Sequence, residues 1–342
     1  MTIQSTAADF LAAGEPVQGS EVEVERLVDL AYAPPQPEDG RGHLLDLYVP
    51  AGGGPYPLAI WTSGSAFRSD EGKQGAAEVA AFLNPAGYAV AGVSVRASGQ
   101  AVFPAQVHDV KAAVRWLRAN ATRHRLDADR FAVMGNSSGG WVATMAALTG
   151  DVPELEGEVG VVGPSSRVQA AVDLYGPTDF LQMDAHMPPG AREEFNALLG
   201  LSDCHDDPRS PESLLMGGPI RERREAVTLA NPVTHVTAGM PPLLIVHGRA
   251  DRLVPEHQSV LLFEAVAARN GTALFYSIPE LGHEHSFLTD PARAEGHVTM
   301  WTRAGQRGLL PQAPPPTWET VERFVRAALG SHAARDDEAA TA

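Results

Sequence analysis

Three short stretches of the chain carry the residue types and spacing needed for nucleophilic acyl chemistry. The first is Phe131-Ala132-Val133-Met134-Gly135-Asn136-Ser137-Ser138-Gly139-Gly140-Trp141, where an apolar run enters Gly-x-Ser-x-Gly and an apolar helical pattern follows at once. A serine in that context sits on a sharp strand-to-helix turn that lifts its hydroxyl above a sheet. Glycines two places to either side remove the side chains that would clash there. The same turn sets the N–H of Ser138 at a helix N-terminus, aimed at developing negative charge. A plain Gly/Ser loop or a phosphate cradle is the alternative reading, and the flanks on both sides favour a nucleophile. Centring the pattern on Ser138 makes Asn136 and Gly140 its flanks and breaks the glycine rule, so Ser137 is the predicted nucleophile.

A serine hydroxyl needs a base to take its proton, and the base needs an orienting carboxylate. On a sheet with such a turn the chain order is Ser, then Asp or Glu, then His. Leu243-Leu244-Ile245-Val246-His247-Gly248-Arg249-Ala250-Asp251 reads as a buried strand and a loop, with Asp251 just past the strand's C-terminal end, where open-sheet sites form. Asp206 and Asp207 fall in an irregular segment, and Glu280 lies too close to the candidate base. That base follows a further strand, in Pro279-Glu280-Leu281-Gly282-His283-Glu284-His285. His283 is preferred over His285 because Gly282 offers it a hinge. His285 is expected to contact substrate or support the site. Zinc binding by His283 and His285 is disfavoured, since their i, i+2 spacing is not the i, i+4 of a helical ligand pair and no further His/Cys cluster is evident.

These side chains must be carried by a sheet. Residues 58–62, 88–95, 131–134, 170–174, 243–247 and 273–278 are short, almost continuously apolar runs, the pattern of strands covered on both faces. Helical patterns at 75–82, 107–120, 139–148 and 257–270 alternate with them, which predicts βαβ units and an open, mostly parallel sheet with helices on both faces. Residues 21–30 and 44–50 read as early strands at a sheet edge. Residues 181–241 break the alternation and read as a small cap insertion over the sheet's C-terminal edge. Met183, Met187 and Phe195 are expected either to shape its pocket or to form its core. Residues 299–316 read as irregular, 318–329 as a last helix, 1–20 as a loosely packed arm and 331–342 as a frayed tail. No linker divides 21–330, which predicts one domain.

With Ser137, Asp251 and His283 in their flanks, the chain resembles α/β-hydrolases of the hormone-sensitive-lipase and acetyl or feruloyl esterase type. The likeness extends to Leu45-Asp46-Leu47-Tyr48-Val49-Pro50, to 103–118 before the nucleophile strand, and to 210–215 and Asn231-Pro232 around the cap. It implies the α/β-hydrolase fold and acyl transfer to water. The family's His-Gly-Gly after the third strand corresponds here to Ser63-Gly64-Ser65, so the resemblance implies that the N–H groups of Gly64 and Ser65 join that of Ser138 as oxyanion donors. Ser63 lacks the bracing an imidazole would give.

Composition fits such a reading. In 342 residues, 26 Lys+Arg against 42 Asp+Glu give a net charge of −16, a field that repels phosphate backbones and anionic lipid. Nucleic acid and membrane are therefore not expected as partners. No apolar run approaches a bilayer span. The first fifteen residues carry no Lys or Arg, and Cys204 is the sole cysteine. A cytoplasmic location is expected on these grounds, and a secreted chain stripped of its signal would read the same way. The expected reaction is serine hydrolysis of a small-molecule carboxylic ester through an acyl-enzyme, with no metal or organic cofactor, and a homodimer is left open. An amidase such as an arylformamidase, a small peptidase, and a non-catalytic binding protein of the same fold stand beside it.

Overall fold

The computed structural model describes residue 11 and residues 22–340, with backbone only for 331–340. The arm expected over 1–20 lies outside the described residues except for Leu11, which is buried against the core.

The apolar runs pair into one ten-stranded sheet. Its strands are β1 (Val24–Ala31), β2 (Leu44–Pro50), β3 (Tyr56–Thr62), β4 (Ala89–Val93), β5 (Leu126–Asn136), β6 (Ala170–Leu174), β7 (Leu243–Gly248), β8 (Ala273–Ile278), β9 (Val298–Arg303) and β10 (Gln306–Leu309). Their spatial order is β1-β2-β4-β3-β5-β6-β7-β8-β9-β10, parallel from β4 through β8. Antiparallel pairs close both edges.

Side chains alternate across this sheet as a period of two requires. Phe131 and Val133 of β5, with Leu243 and Ile245 of β7, enter one core together with α2 (Ala105–Ala119), α3 (Ser138–Leu148) and α7 (His257–Ala268). Ala132, Met134, Leu244 and Val246 point the other way, against α1 (Ala76–Leu83) and α8 (Trp318–Ala340). Burial on both faces is why these strands read as continuous apolar runs.

A third cluster joins the cap to the sheet. The cap between β6 and β7 carries α4 (Ala191–Leu199), α5 (Pro211–Met216) and α6 (Arg224–Leu229). Its Phe180, Met183, Leu215, Met216 and Ile220 pack on Trp141 of α3, whose indole N–H donates to the Ala230 carbonyl at 2.8 Å.

One expectation fails here and one helix boundary moves. Residues 299–316, read as irregular, contain the β9–β10 hairpin. Its two-residue turn, Ala304 at φ 49° and Gly305 at φ 79°, has the left-handed backbone of a type I′ turn. Alanine at the first turn position and the exposed face of β10 conceal it in the sequence. The last helix, expected over 318–329, runs on as α8 to Ala340, into the segment read as a frayed tail. Strong helix formers such as Ala333, Ala334 and Glu338, with no proline, carry the propensity past Gly330.

Candidate active site

The turn between β5 and α3 holds Ser137 at φ 53° and ψ −129°, a left-handed backbone that a side chain adopts only under constraint. The constraint is close packing. A Cβ on Gly139 would come within 2.1 Å of the Thr62 carbonyl, one on Gly135 within 2.4 Å of the Gly139 carbonyl, and one on Gly64 within 2.6 Å of Ser137 Cβ. The glycines let α3, β5 and the β3 loop converge on the serine, which explains the Gly-x-Ser-x-Gly spacing physically.

Loops after β7 and β8 supply the partners. Arg249 N–H donates to the Ile278 carbonyl and Ala250 N–H to the Leu281 carbonyl, zipping the two loops together. Gly248 permits this, because a Cβ there would lie 2.1 Å from the Leu281 carbonyl oxygen. Asp251 is thereby fixed beneath His283. The structure brings the three predicted residues into one hydrogen-bonded chain. His283 Nδ1 lies 2.7 Å from Asp251 Oδ2, and His283 Nε2 lies 2.9 Å from Ser137 Oγ.

Electrostatics fixes the proton positions. Burial alone would raise the pKa of Asp251, but hydrogen bonds from His247 and His283 hold it well below the usual carboxylate range. An ionised carboxylate can only accept, so Nδ1 of His283 carries the proton and Nε2 presents its lone pair to the serine hydroxyl. The other carboxylate oxygen, Oδ1, accepts the N–H groups of Leu253 (2.8 Å) and Val254 (3.0 Å).

The rival carboxylates stand apart. Asp207 accepts from Ser202 and Arg209, and Asp206 pairs with Arg221. His285 does not compete for the serine, since its Nδ1 lies 2.7 Å from the Tyr175 hydroxyl. Gly282 has neither a left-handed backbone nor a neighbour within 4 Å of an added Cβ, so the hinge reasoning offered for His283 has no counterpart in the structure. The zipped loops aim His283 instead.

Two of the three anticipated oxyanion donors are occupied. Gly64 N–H donates to Asn136 Oδ1 at 3.1 Å, and Ser65 N–H donates to Ser138 Oγ at 2.8 Å. Asn136 and Ser138 flank the nucleophile, and their short polar side chains reach the loop packed against it. Ser138 N–H, at the first position of α3, has no acceptor within its helix.

Ser137 and His283 open into a cavity of about 820 Å³. Its walls come from Trp61, the 63–66 loop, Gln74, Glu78 and Phe82 of the α1 region, Tyr175, the 283–289 loop and Trp318. The cap side chains singled out earlier are not on that wall. Met183 lies in the cap core against Trp141, and Phe195 packs on the His205 ring at 4.2 Å. Sequence reading missed Tyr175, whose ring meets His283 edge-on at 4.8 Å, and His247, fully buried beside Asp251. The available signals were an aromatic just past β6 and a lone histidine inside an apolar strand, a polar ring that must find partners.

Among the described residues, one group has metal-ligating side chains within reach of one another: Asp184, Cys204 and His205, in the cap. Most of its atoms are engaged, although His205 Nε2 is buried without a hydrogen-bond partner. Asp184 accepts the N–H of His205, His205 Nδ1 pairs with Glu212, and burial with the Asp184 hydrogen bond pushes the Cys204 thiol up to about 12.

Comparison with known proteins agrees with this architecture. The chain is 29% identical over 68% of its length to the probable carboxylic ester hydrolase LipM of Mycobacterium tuberculosis, and 30% identical over 70% to esterase LipC of the same organism. It spans about half the length of these relatives, 49% and 55% respectively. Among solved structures, the bifunctional GH43-CE protein of Bacteroides eggerthii superposes with a TM-score of 0.71 at 30% identity, over 89% of this chain and 35% of that one. No helix of the described residues is long and apolar enough to cross a membrane. The BD-FAE family model matches residues 45–266, most of the sheet and the whole cap. With the α/β-hydrolase fold and that match, the chain belongs to the BD-FAE family, on the esterase branch of the α/β-hydrolases.

Proposed function

We propose that the protein is a serine carboxylic-ester hydrolase acting on small to medium esters through an acyl-enzyme. One observation carries the reading: the unbroken hydrogen-bonded chain Ser137–His283–Asp251 at a strained strand-to-helix turn facing an open cavity. His283 Nε2 takes the hydroxyl proton as Ser137 Oγ attacks the ester carbonyl. Asp251 holds the imidazole's tautomer and stabilises its charged form. His283 then protonates the leaving alcohol, and water releases the acyl group by the reverse path.

The tetrahedral oxyanion is held first by Ser138 N–H. Gly64 and Ser65 join it by exchanging their present acceptors for the oxyanion. A charged oxygen accepts more strongly than the neutral Asn136 amide or Ser138 hydroxyl, so the exchange runs toward the transition state.

The test is an ester series (p-nitrophenyl acetate, butyrate and hexanoate) run beside p-nitroanilides, with fluorophosphonate labelling of Ser137. Turnover of the esters with negligible turnover of the anilides supports the esterase. The reverse order makes the protein an amidase, and failure of the label to attach makes it a binding protein of the fold.

Two further outcomes are expected. Gly64→Ala places a methyl 2.4 Å from the Asn136 carbonyl and against Ser137 Cβ, so kcat falls by about 10²–10³, the worth of one oxyanion donor. Stopped-flow acylation with p-nitrophenyl acetate measures it. Gln74, Glu78 and Phe82 lie four residues apart in sequence and share the cavity wall, where Glu78 is present without Lys or Arg and Glu284 is paired with Arg293, which lies off the wall. Cationic alcohols are therefore favoured. Acetylcholine is expected to exceed its neutral isostere 3,3-dimethylbutyl acetate in kcat/KM by about twofold to fivefold, and Glu78→Gln or added salt erases the preference.

A further inference from the structure

Asp251 meets two imidazoles, not one. His247, on β7 and fully buried, lies with Nε2 3.3 Å from Asp251 Oδ2, the same oxygen that His283 Nδ1 approaches at 2.7 Å. His247 Nε2 is also 2.9 Å from the Val254 carbonyl oxygen. Both of these neighbours can only accept, so Nε2 carries a proton. The other nitrogen, Nδ1, is 2.7 Å from the Ser259 hydroxyl of α7. That hydroxyl can accept as well as donate, so the pocket can hold the ring with protons on both nitrogens.

The remaining surroundings decide between a neutral and a charged ring. On β6, Asp173 is buried and contributes to the field at His247, and the Tyr175 ring meets it edge-on at 6.3 Å. On the β7 loop stands Asp251, and among the described residues the charged groups acting on the ring are these two carboxylates. Burial disfavours its charge, but the hydrogen bond and charge of Asp251, the Val254 carbonyl and Asp173 outweigh this, and its pKa is raised. Asp173, pushed by burial up to about 6, is itself only weakly held in the charged form.

We infer that His247 is a positioning residue that shares the Asp251 carboxylate with His283, carries positive charge, and so sets the acid limb of the enzyme's pH profile. The inference rests on the triad reading above. A cation on the far side of Asp251 cancels part of the field that the carboxylate exerts on His283. Removing that cation returns the field to the imidazole.

The test is His247→Gln, whose amide N–H replaces the Nε2 donor toward Asp251 and Val254 without supplying charge. The acid limb of kcat/KM is expected to move up by about half a unit, which is about a threefold loss at acid pH beyond any uniform loss. A limb that stays in place while kcat falls evenly across the pH range would overturn the inference, because a merely structural histidine predicts that result. Ring-nitrogen NMR of the ¹⁵N-histidine-labelled wild-type chain gives a second reading that holds even if the variant fails to fold. Both His247 nitrogens are expected to be protonated near pH 7, assigned through the response to Ser259→Ala, and a bare His247 nitrogen overturns the inference. Should the chain hydrolyse no ester, fluorophosphonate labelling reports on the triad reading, and the nitrogen spectrum still reports on His247.

Discussion

Ser137→Ala is expected to lower p-nitrophenyl acetate turnover by about 10⁶, while leaving the thermal midpoint within a few degrees of the parent chain. The size follows from what is removed. Without Oγ there is no acyl-enzyme, and His283 Nε2, 2.9 Å from the lost oxygen, has no proton to take. What survives is the binding cavity and the Ser138 N–H, which stabilise a water-attacked carbonyl only weakly. The fold survives because alanine keeps the Cβ that packs on Gly64, and the Ser137 backbone is held by its N–H to the Leu174 carbonyl at 2.8 Å. Turnover, fluorophosphonate labelling and a melting curve on one preparation check it. Labelling that persists in the variant, or turnover within about tenfold of wild type, would move the nucleophile elsewhere.

The strained turn that carries Ser137 could be found in the sequence because its requirements are local. A strained turn between a buried strand and a helix needs glycines at fixed offsets, and Gly135 and Gly139 are where backbone from β3 passes within contact of the turn. Asp251 was legible through chain order and its place after β7, and the buried strands through burial on both faces. Other features depend on partners distant in sequence, and no local pattern reports them. His247 looks like any strand residue until Asp251 and Ser259 are brought beside it. Tyr175 gains its place from histidines more than a hundred residues away. The amides of Gly64 and Ser65 were expected to face the oxyanion, but Asn136 and Ser138, 72 and 73 residues on, claim them. The cap's apolar residues gave no sign in sequence of whether they would face the cleft or one another; Phe180, Met183, Leu215 and Ile220 gather with Trp141, whose indole is hydrogen-bonded to Ala230, and Phe195 packs on His205.

The choice between two neighbouring histidines yields the other large effect. His283→Ala is expected to match Ser137→Ala, a loss of about 10⁶ in kcat, and the double variant to be no worse than either single one, because members of a triad act as a unit. His285→Ala is expected to stay within about tenfold of wild type. The difference lies in what each ring touches. His283 spans the 2.9 Å and 2.7 Å gaps to Ser137 and Asp251, so its removal takes away the base and leaves Asp251 with no ring to orient toward the serine. His285 bonds the Tyr175 hydroxyl and shares the cavity wall with Glu78. Its loss therefore alters substrate binding and appears chiefly in KM. Measuring kcat and KM separately for both variants discriminates these roles. A collapse of kcat in His285→Ala with His283→Ala spared would assign the base to the wrong side of Glu284. Equal collapse in both would mean that Tyr175, held by His285 and edge-on to His283, must stay in place for the imidazole to be aimed at all.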